Sequence, residues 1–177
     1  MQSPRLDDDL TAAQSKSDHI PAPSPQTEVE CLVALAASRG ASTITLGHAR
    51  DQNSAAAVHA FASLWTASGR TVLRIVDWPE NAASWLRQAR RFAEPEPDLW
   101  VVAASPVGWA QMARRLTWST SWKARDTLAF SSLADHHTQD LAGPAILGLS
   151  GALPNGHIWR MREDGIVIEP GTAGDHA

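Results

Sequence analysis

Three short stretches carry the residues that could do chemistry. They are His48-Ala49-Arg50-Asp51 followed by Asn53 and Ser54, Ser105 just before Pro106, and Ser131-Ser132 leading into Asp135-His136-His137. A histidine close to a carboxylate can move protons at neutral pH, because imidazole titrates there. A serine at a helix start stands where free backbone N–H groups and the positive end of the helix dipole favour a carboxylate or phosphate. Ser54 and Ser105 fit that description, and the plainer alternative is that each only caps its helix. Asp135-His136-His137 offers metal-ligating types, but no third ligand is spaced to complete a site, so no metal is expected. His48 and Asp51 have no nucleophile motif or second catalytic carboxylate beside them, and no residue is assigned a catalytic role.

Several chemistries lack their fingerprint. No G-x-x-x-x-G-K-S/T phosphate loop occurs, and Gly47-His48-Ala49-Arg50-Asp51-Gln52 lacks the three glycines of a dinucleotide turn. There is no G-x-S-x-G nucleophile elbow. No cofactor is expected.

The elements that must position these residues alternate. Ser42–Leu46, Thr71–Val76, Leu99–Ala103 and Thr127–Phe130 are apolar runs of strand length. Between them lie amphipathic runs: one from Asn53 or Ser54 to about Ser68, one near Glu80–Phe92, and one starting at Pro106 with Trp109, Met112, Ala113 and Leu116 on its inner face. Glu28–Arg39 reads as a further helix, stopped by Gly40. Ile146-Leu147 is open to either a fifth strand or a short helix. Asp164-Gly165 between HIWRM and IVIE signals a hairpin. The alternation argues for an α/β protein: a three-layer αβα sandwich around an open, mainly parallel, Rossmann-like sheet of order 2-1-3-4, with a C-terminal β-hairpin. In such a sheet ligands bind beyond the carboxyl ends of the strands, at the switch in strand order. That places the candidate site at His48–Ser54, Ala104–Val107 and Ser131-Ser132.

Composition narrows the field. The 177 residues suit a single α/β domain over 28–170, with residues 1–27 (rich in Asp and Pro) and 171–177 expected to be disordered. A net charge of −4 with mixed surface charge gives no case for nucleic acid. The single cysteine, Cys31, cannot form an internal disulfide and lies among Leu32, Val33 and Leu35, as a small core residue would. No stretch is apolar enough to insert in a membrane, and MQSPRLDDDL lacks the basic start and apolar run of a leader, so a cytoplasmic protein is expected. Arg87, Arg90 and Arg91 read as a solvated helix face. The eight tryptophans, with no tyrosine, are divided. Trp65, Trp85 and Trp109 fall on apolar helix faces, while Trp118, Trp122 and Trp159 are candidates for a protein-partner or homodimer surface.

Four features carry a resemblance. A helix ends in Gly69-Arg70-Thr71-Val72, a later one leads to Pro97-Asp98-Leu99-Trp100-Val101-Val102, a third ends in Met112-Ala113-Arg114-Arg115-Leu116, and Gly156-His157-Ile158-Trp159 precedes Asp164-Gly165. Over about Ser42 to Glu169 this order resembles one lobe of the type I periplasmic ligand-binding proteins, the branched-chain amino-acid receptor family of ABC importers. The resemblance implies a non-enzymatic domain that holds an amino-acid-like or anionic small molecule. The small polar residues at its loops, here His48, Asp51, Asn53, Ser54, Ser105, Ser131 and Ser132, would contact it. Two other readings stay open: an interaction or oligomerisation module displaying tryptophans, and a Rossmann-like enzyme using His48 and Asp51.

Overall fold

The computed structural model describes residues 25–171. The tails expected at 1–27 and 171–177 therefore lie mostly outside the described residues. Helix α1 (Pro25–Ser38) opens with proline in its first turn, where the missing N–H costs nothing. Four βα units follow: β1 (Thr43–Ala49), α2 (Gln52–Ala67), β2 (Thr71–Trp78), α3 (Leu86–Ala93), β3 (Leu99–Ala103), α4 (Pro106–Ser119), β4 (Thr127–Ala129) and α5 (His136–Ala142). β5 (Ser150–Ala152), β6 (Ile158–Arg162) and β7 (Gly165–Glu169) complete the sheet.

The strand order is β2-β1-β3-β4-β5-β6-β7. β1 to β5 pair in parallel, and β6 and β7 add in antiparallel, joined at Asp164-Gly165. The expected order and hairpin are both present. Alternation along β3 builds the layers. Leu99, Val101 and Ala103 face a core shared with α1 and α2, and Trp100 and Val102 face one shared with α3 and α4. Gly47 is in β1 because Trp78 and Phe92 lie across it; a Cβ there would come within 2.6 Å of the Trp78 ring. Among the described residues no helix is long and apolar enough to cross a membrane.

Some expected boundaries differ. The helix expected over Glu80–Phe92 begins only at Leu86, and residues 79–85 form a loop from which the Glu80 side chain reaches Ser105. The fifth strand is Ser150–Ala152, while Ile146 ends a 3-10 turn begun at Gly143-Pro144. Trp122 and Trp159 are not surface residues, which corrects the three-tryptophan partner face. Trp159 is fully buried on the inward side of β6, its Nε1 donating to the Ala152 carbonyl at 3.2 Å. Trp122 is buried edge-on against Trp109, with ring centroids 5.8 Å apart. Trp118 alone of the three is exposed.

Candidate functional site at the strand ends

Parallel register gathers the expected loops at one end of the sheet. His48 stands opposite Ala103, and Val102 opposite Ala129. Ser105 and Ser131 each follow two residues beyond those partners, so His48, Ser105 and Ser131 share a rim. The helices run back against the strands, which brings the N-terminal turns of α1, α2 and α4 to the same end.

At that rim each expected anion position already holds a carboxylate of the chain itself. Asp51, rather than Asn53 or Ser54, caps α2; its Oδ1 accepts from the Ser54 N–H at 2.8 Å. Burial would raise the Asp51 carboxyl, but hydrogen bonds from Ser54 and Asn53 outweigh it and hold the group below the ordinary carboxylate range. Ser105 occupies the N-cap position of α4 without capping it. Its Oγ donates instead to Glu80 Oε2 at 2.5 Å. The same carboxylate lies over the first turn of α4, where a Cβ on Gly108 would stand 2.8 Å from Glu80 Oε2. The other oxygen, Glu80 Oε1, is buried without a partner among the described residues. The Ser131 N–H donates to Glu28 Oε1 at 2.5 Å. Glu28 is only 7% exposed. Desolvation pushes its carboxyl above the ordinary value, against the lowering effect of the Ser131 bonds.

The remaining candidates are arranged more loosely. His48 Nδ1 lies 2.7 Å from the Ala49 carbonyl, and its ring is 6.0 Å from that of His59. Among the described residues nothing bonds His48 to Asp51. Arg50 instead pairs with Asp77 at 2.5 Å. That hydrogen bond, outweighing a smaller desolvation, lowers the Asp77 carboxyl. Asn53 and Ser132 are exposed. Asp135 caps α5, accepting from the Thr138 N–H and hydroxyl, and leaves His136 and His137 exposed on the first turn. Among the described residues no group of three His, Cys, Asp or Glu could hold a metal ion. Cys31 donates to the Gly156 carbonyl at 3.3 Å, and burial, with Glu28 nearby, pushes its thiol pKa up.

The rim residues are divided between two grooves, one on each face of the sheet. A groove of about 390 Å³ opens between the first turns of α1 and α2, lined by Glu28, Val29, Asn53, Ala57 and Phe130. Another of about 530 Å³ lies above α3 and α4, lined by Glu80, Asn81, Trp85 and Val107. Asn53 opens on the first groove, and Ser131 is tied to it through Glu28. Ser105 is tied to the second through Glu80. The two glutamates are the residues that sequence reasoning missed. Their bonds span 103 and 25 positions, so no local pattern announces them.

Solved structures share this fold. A substrate-binding periplasmic protein from Ralstonia solanacearum is 19% identical, with a TM-score of 0.63 over 72% of this chain and 36% of its own. The leucine binding protein of Thermotoga maritima is 17% identical, with a TM-score of 0.60 over 71% of this chain and 35% of its own. A solute binding protein of a Rhodopseudomonas palustris ABC transporter, solved with benzoate, is 14% identical, with a TM-score of 0.62 over 73% and 35%. The fold is that of one lobe of a type I periplasmic binding protein. The chain spans little more than a third of the length of these proteins, the share of a single lobe. No family model and no curated protein matches the sequence. In this chain the strand-end rim gathers the helix starts, with one groove on each face of the sheet.

Proposed function

We propose that this lobe binds a small molecule at the strand-end rim, in the groove between α1 and α2, and that the ligand presents an ammonium or other N–H donor to Glu28. The carrying observation is the occupancy of the rim by Glu28, Asp51 and Glu80. An anionic ligand would have to displace one of these acids from the helix-start donors, and would meet like charge while doing so. An amine meets a buried carboxylate that already has one oxygen anchored by the Ser131 N–H. Val29, Ala57 and Phe130 supply apolar walls for an alkyl or aryl body. The reading narrows the ligand from amino-acid-like or anionic to amine-bearing. A fold shared with a protein described as leucine binding supports a small-molecule ligand that bears an amine.

Matched pairs test it. A ligand that binds only the folded form raises the melting temperature, by about 2.7 kcal/mol of stability at a hundredfold excess over Kd. Benzylamine and isopentylamine are expected to raise it in a concentration-dependent way, and benzoate and isovalerate are not. Glu28→Gln is expected to abolish the amine shift. A melt raised by the carboxylates and unmoved by the amines overturns the proposal.

A further inference from the structure

Away from the rim, α3 and α4 themselves carry charge of one sign, with the nearest acids, Glu94 and Glu96, just past the end of α3. The two helices carry Arg87, Arg90, Arg91, Arg114 and Arg115 and no acidic residue, in a chain whose net charge is −4. Among the described residues Arg87, Arg90, Arg91 and Arg115 have no side-chain hydrogen bond or ion pair, while Arg114 donates to the Leu141 carbonyl. The helix dipole accounts for Arg90 and Arg91 in the last turn of α3, but disfavours Arg87 in its first. Trp118, in the last turn of α4, is 87% exposed. It borders a groove of about 490 Å³ with Trp85, Gln111, Arg114 and Arg115. Ser119 also lines a smaller groove with Arg90, Glu94 and Glu96, where the end of α3 meets that of α4, and Glu94 is already paired with Arg74. A solvated face explains exposed arginines. It does not explain an uncovered indole among them.

We infer that this face docks an acidic polypeptide segment carrying one large apolar side chain. Charge complementarity supplies the argument: the arginines pair with carboxylates, and the groove between Trp85 and Trp118 takes the apolar anchor. Trp and Arg are the residue types that dominate such contacts. A nucleic acid fits less well. Single strands need successive stacking rings along a basic track, and here one indole is exposed within a negatively charged chain. A membrane surface would require a row of apolar side chains at one level, which the outer positions of these helices lack.

Fluorescence anisotropy with the full chain tests this. The probe is a fluorescein-labelled peptide of glutamates flanking one phenylalanine. Saturable binding that weakens as salt rises is expected. Trp118→Ala and the double variant Arg90→Glu/Arg115→Glu are each expected to weaken it about tenfold or more. Trp118→Phe keeps a ring and is expected to bind between wild type and Trp118→Ala. Circular dichroism establishes that the variants fold, and the benzylamine melt separates this face from the rim because Trp118→Ala leaves it unchanged. The inference is overturned if the peptide does not bind, or if the variants bind as wild type does. It also falls if labelled oligo-deoxythymidine or phosphatidylserine vesicles bind more tightly than the peptide.

Discussion

The carboxylate of Glu28 accepts a hydrogen bond from the backbone N–H of Ser131, a residue 103 positions further along the chain. This one bond ties the first turn of α1 to the exit of β4, and it puts a buried acid at the base of the groove between α1 and α2. An element that comes before the first strand thereby supplies the most buried acid of the rim.

Burial of that acid sets a pH dependence. Burial raises the Glu28 pKa above its ordinary 4.5 in the folded chain. The folded form therefore holds the proton more tightly than the unfolded one. Stability from this group is full below 4.5 and is lost as pH rises through the raised value. Glu28→Gln keeps an acceptor for the Ser131 N–H and cannot ionise. Urea melts across this window are expected to show wild type losing stability as pH rises while the variant stays flat. The variant is expected to be the more stable of the two at neutral pH. Parallel curves would remove Glu28 as the cause.

Asp98 makes the opposite case. Its Oδ2 accepts from the N–H groups of Ser42 and Thr43 at 2.9 and 2.8 Å and from the Thr43 hydroxyl at 2.9 Å, tying the start of β1 to the start of β3. These bonds, led by that from Ser42, hold its carboxyl below the ordinary 3.8. Stability from Asp98 is present above 3.8 and is lost as pH falls through the depressed value. The side chain is exposed, so solvent screening cuts the benefit. Asp98→Ala is expected to cost about 1 kcal/mol at neutral pH and little at strongly acidic pH, read from denaturant midpoints.

Particular residues show what the sequence made legible. Leu99-Trp100-Val101-Val102-Ala103 has no polar interruption, as a strand buried on both sides requires, and it lies near the middle of the sheet as β3. Trp159 was legible too: with Met161 it alternates against Arg160 and Arg162, a period that points both apolar residues inward on β6. Grouping Trp159 with Trp118 and Trp122 as a partner surface passed over that period. The start of α3 was not legible. Asn81-Ala82-Ala83-Ser84 tolerates a helix, yet it lies in a loop from which Glu80 reaches Ser105, a contact made only in the folded chain. The rim acids share that reason. Residue type and spacing located the N–H donors at the helix starts, but which acid reaches each donor is a tertiary fact.

Gly151 tests the packing at the far side of the parallel sheet. A Cβ on Gly151 would stand 1.8 Å from the Ala129 carbonyl oxygen and 2.8 Å from Trp159 Nε1. The nearest atom is backbone within the β4–β5 ladder and cannot swing aside. Gly151→Ala is therefore expected to cost more than about 3 kcal/mol, the upper end for overpacked cores, and to lower the yield of folded protein. Denaturant unfolding of any soluble fraction measures the loss. A midpoint equal to wild type would mean that β5 does not pair with β4 as described.

Trp118 and Trp122 separate surface from core within five residues of sequence. Trp122 packs edge-on against Trp109, which in turn lies 6.1 Å from Trp78, so removing its ring opens a cavity in a continuous aromatic stack. Trp122→Ala is expected to cost about 3–5 kcal/mol, the range for a large aromatic removed from a core. Trp118, with most of its ring in solvent, is expected to change stability by no more than about 0.5 kcal/mol when replaced by alanine. The two effects should also differ in kind. Trp122→Ala lowers the denaturation midpoint whatever the protein concentration, as loss of core packing must. A dimer held together by Trp122 would instead make that midpoint rise with wild-type concentration. Denaturation series at two protein concentrations read both quantities, and a concentration-dependent wild-type midpoint abolished by Trp122→Ala would return Trp122 to an interface.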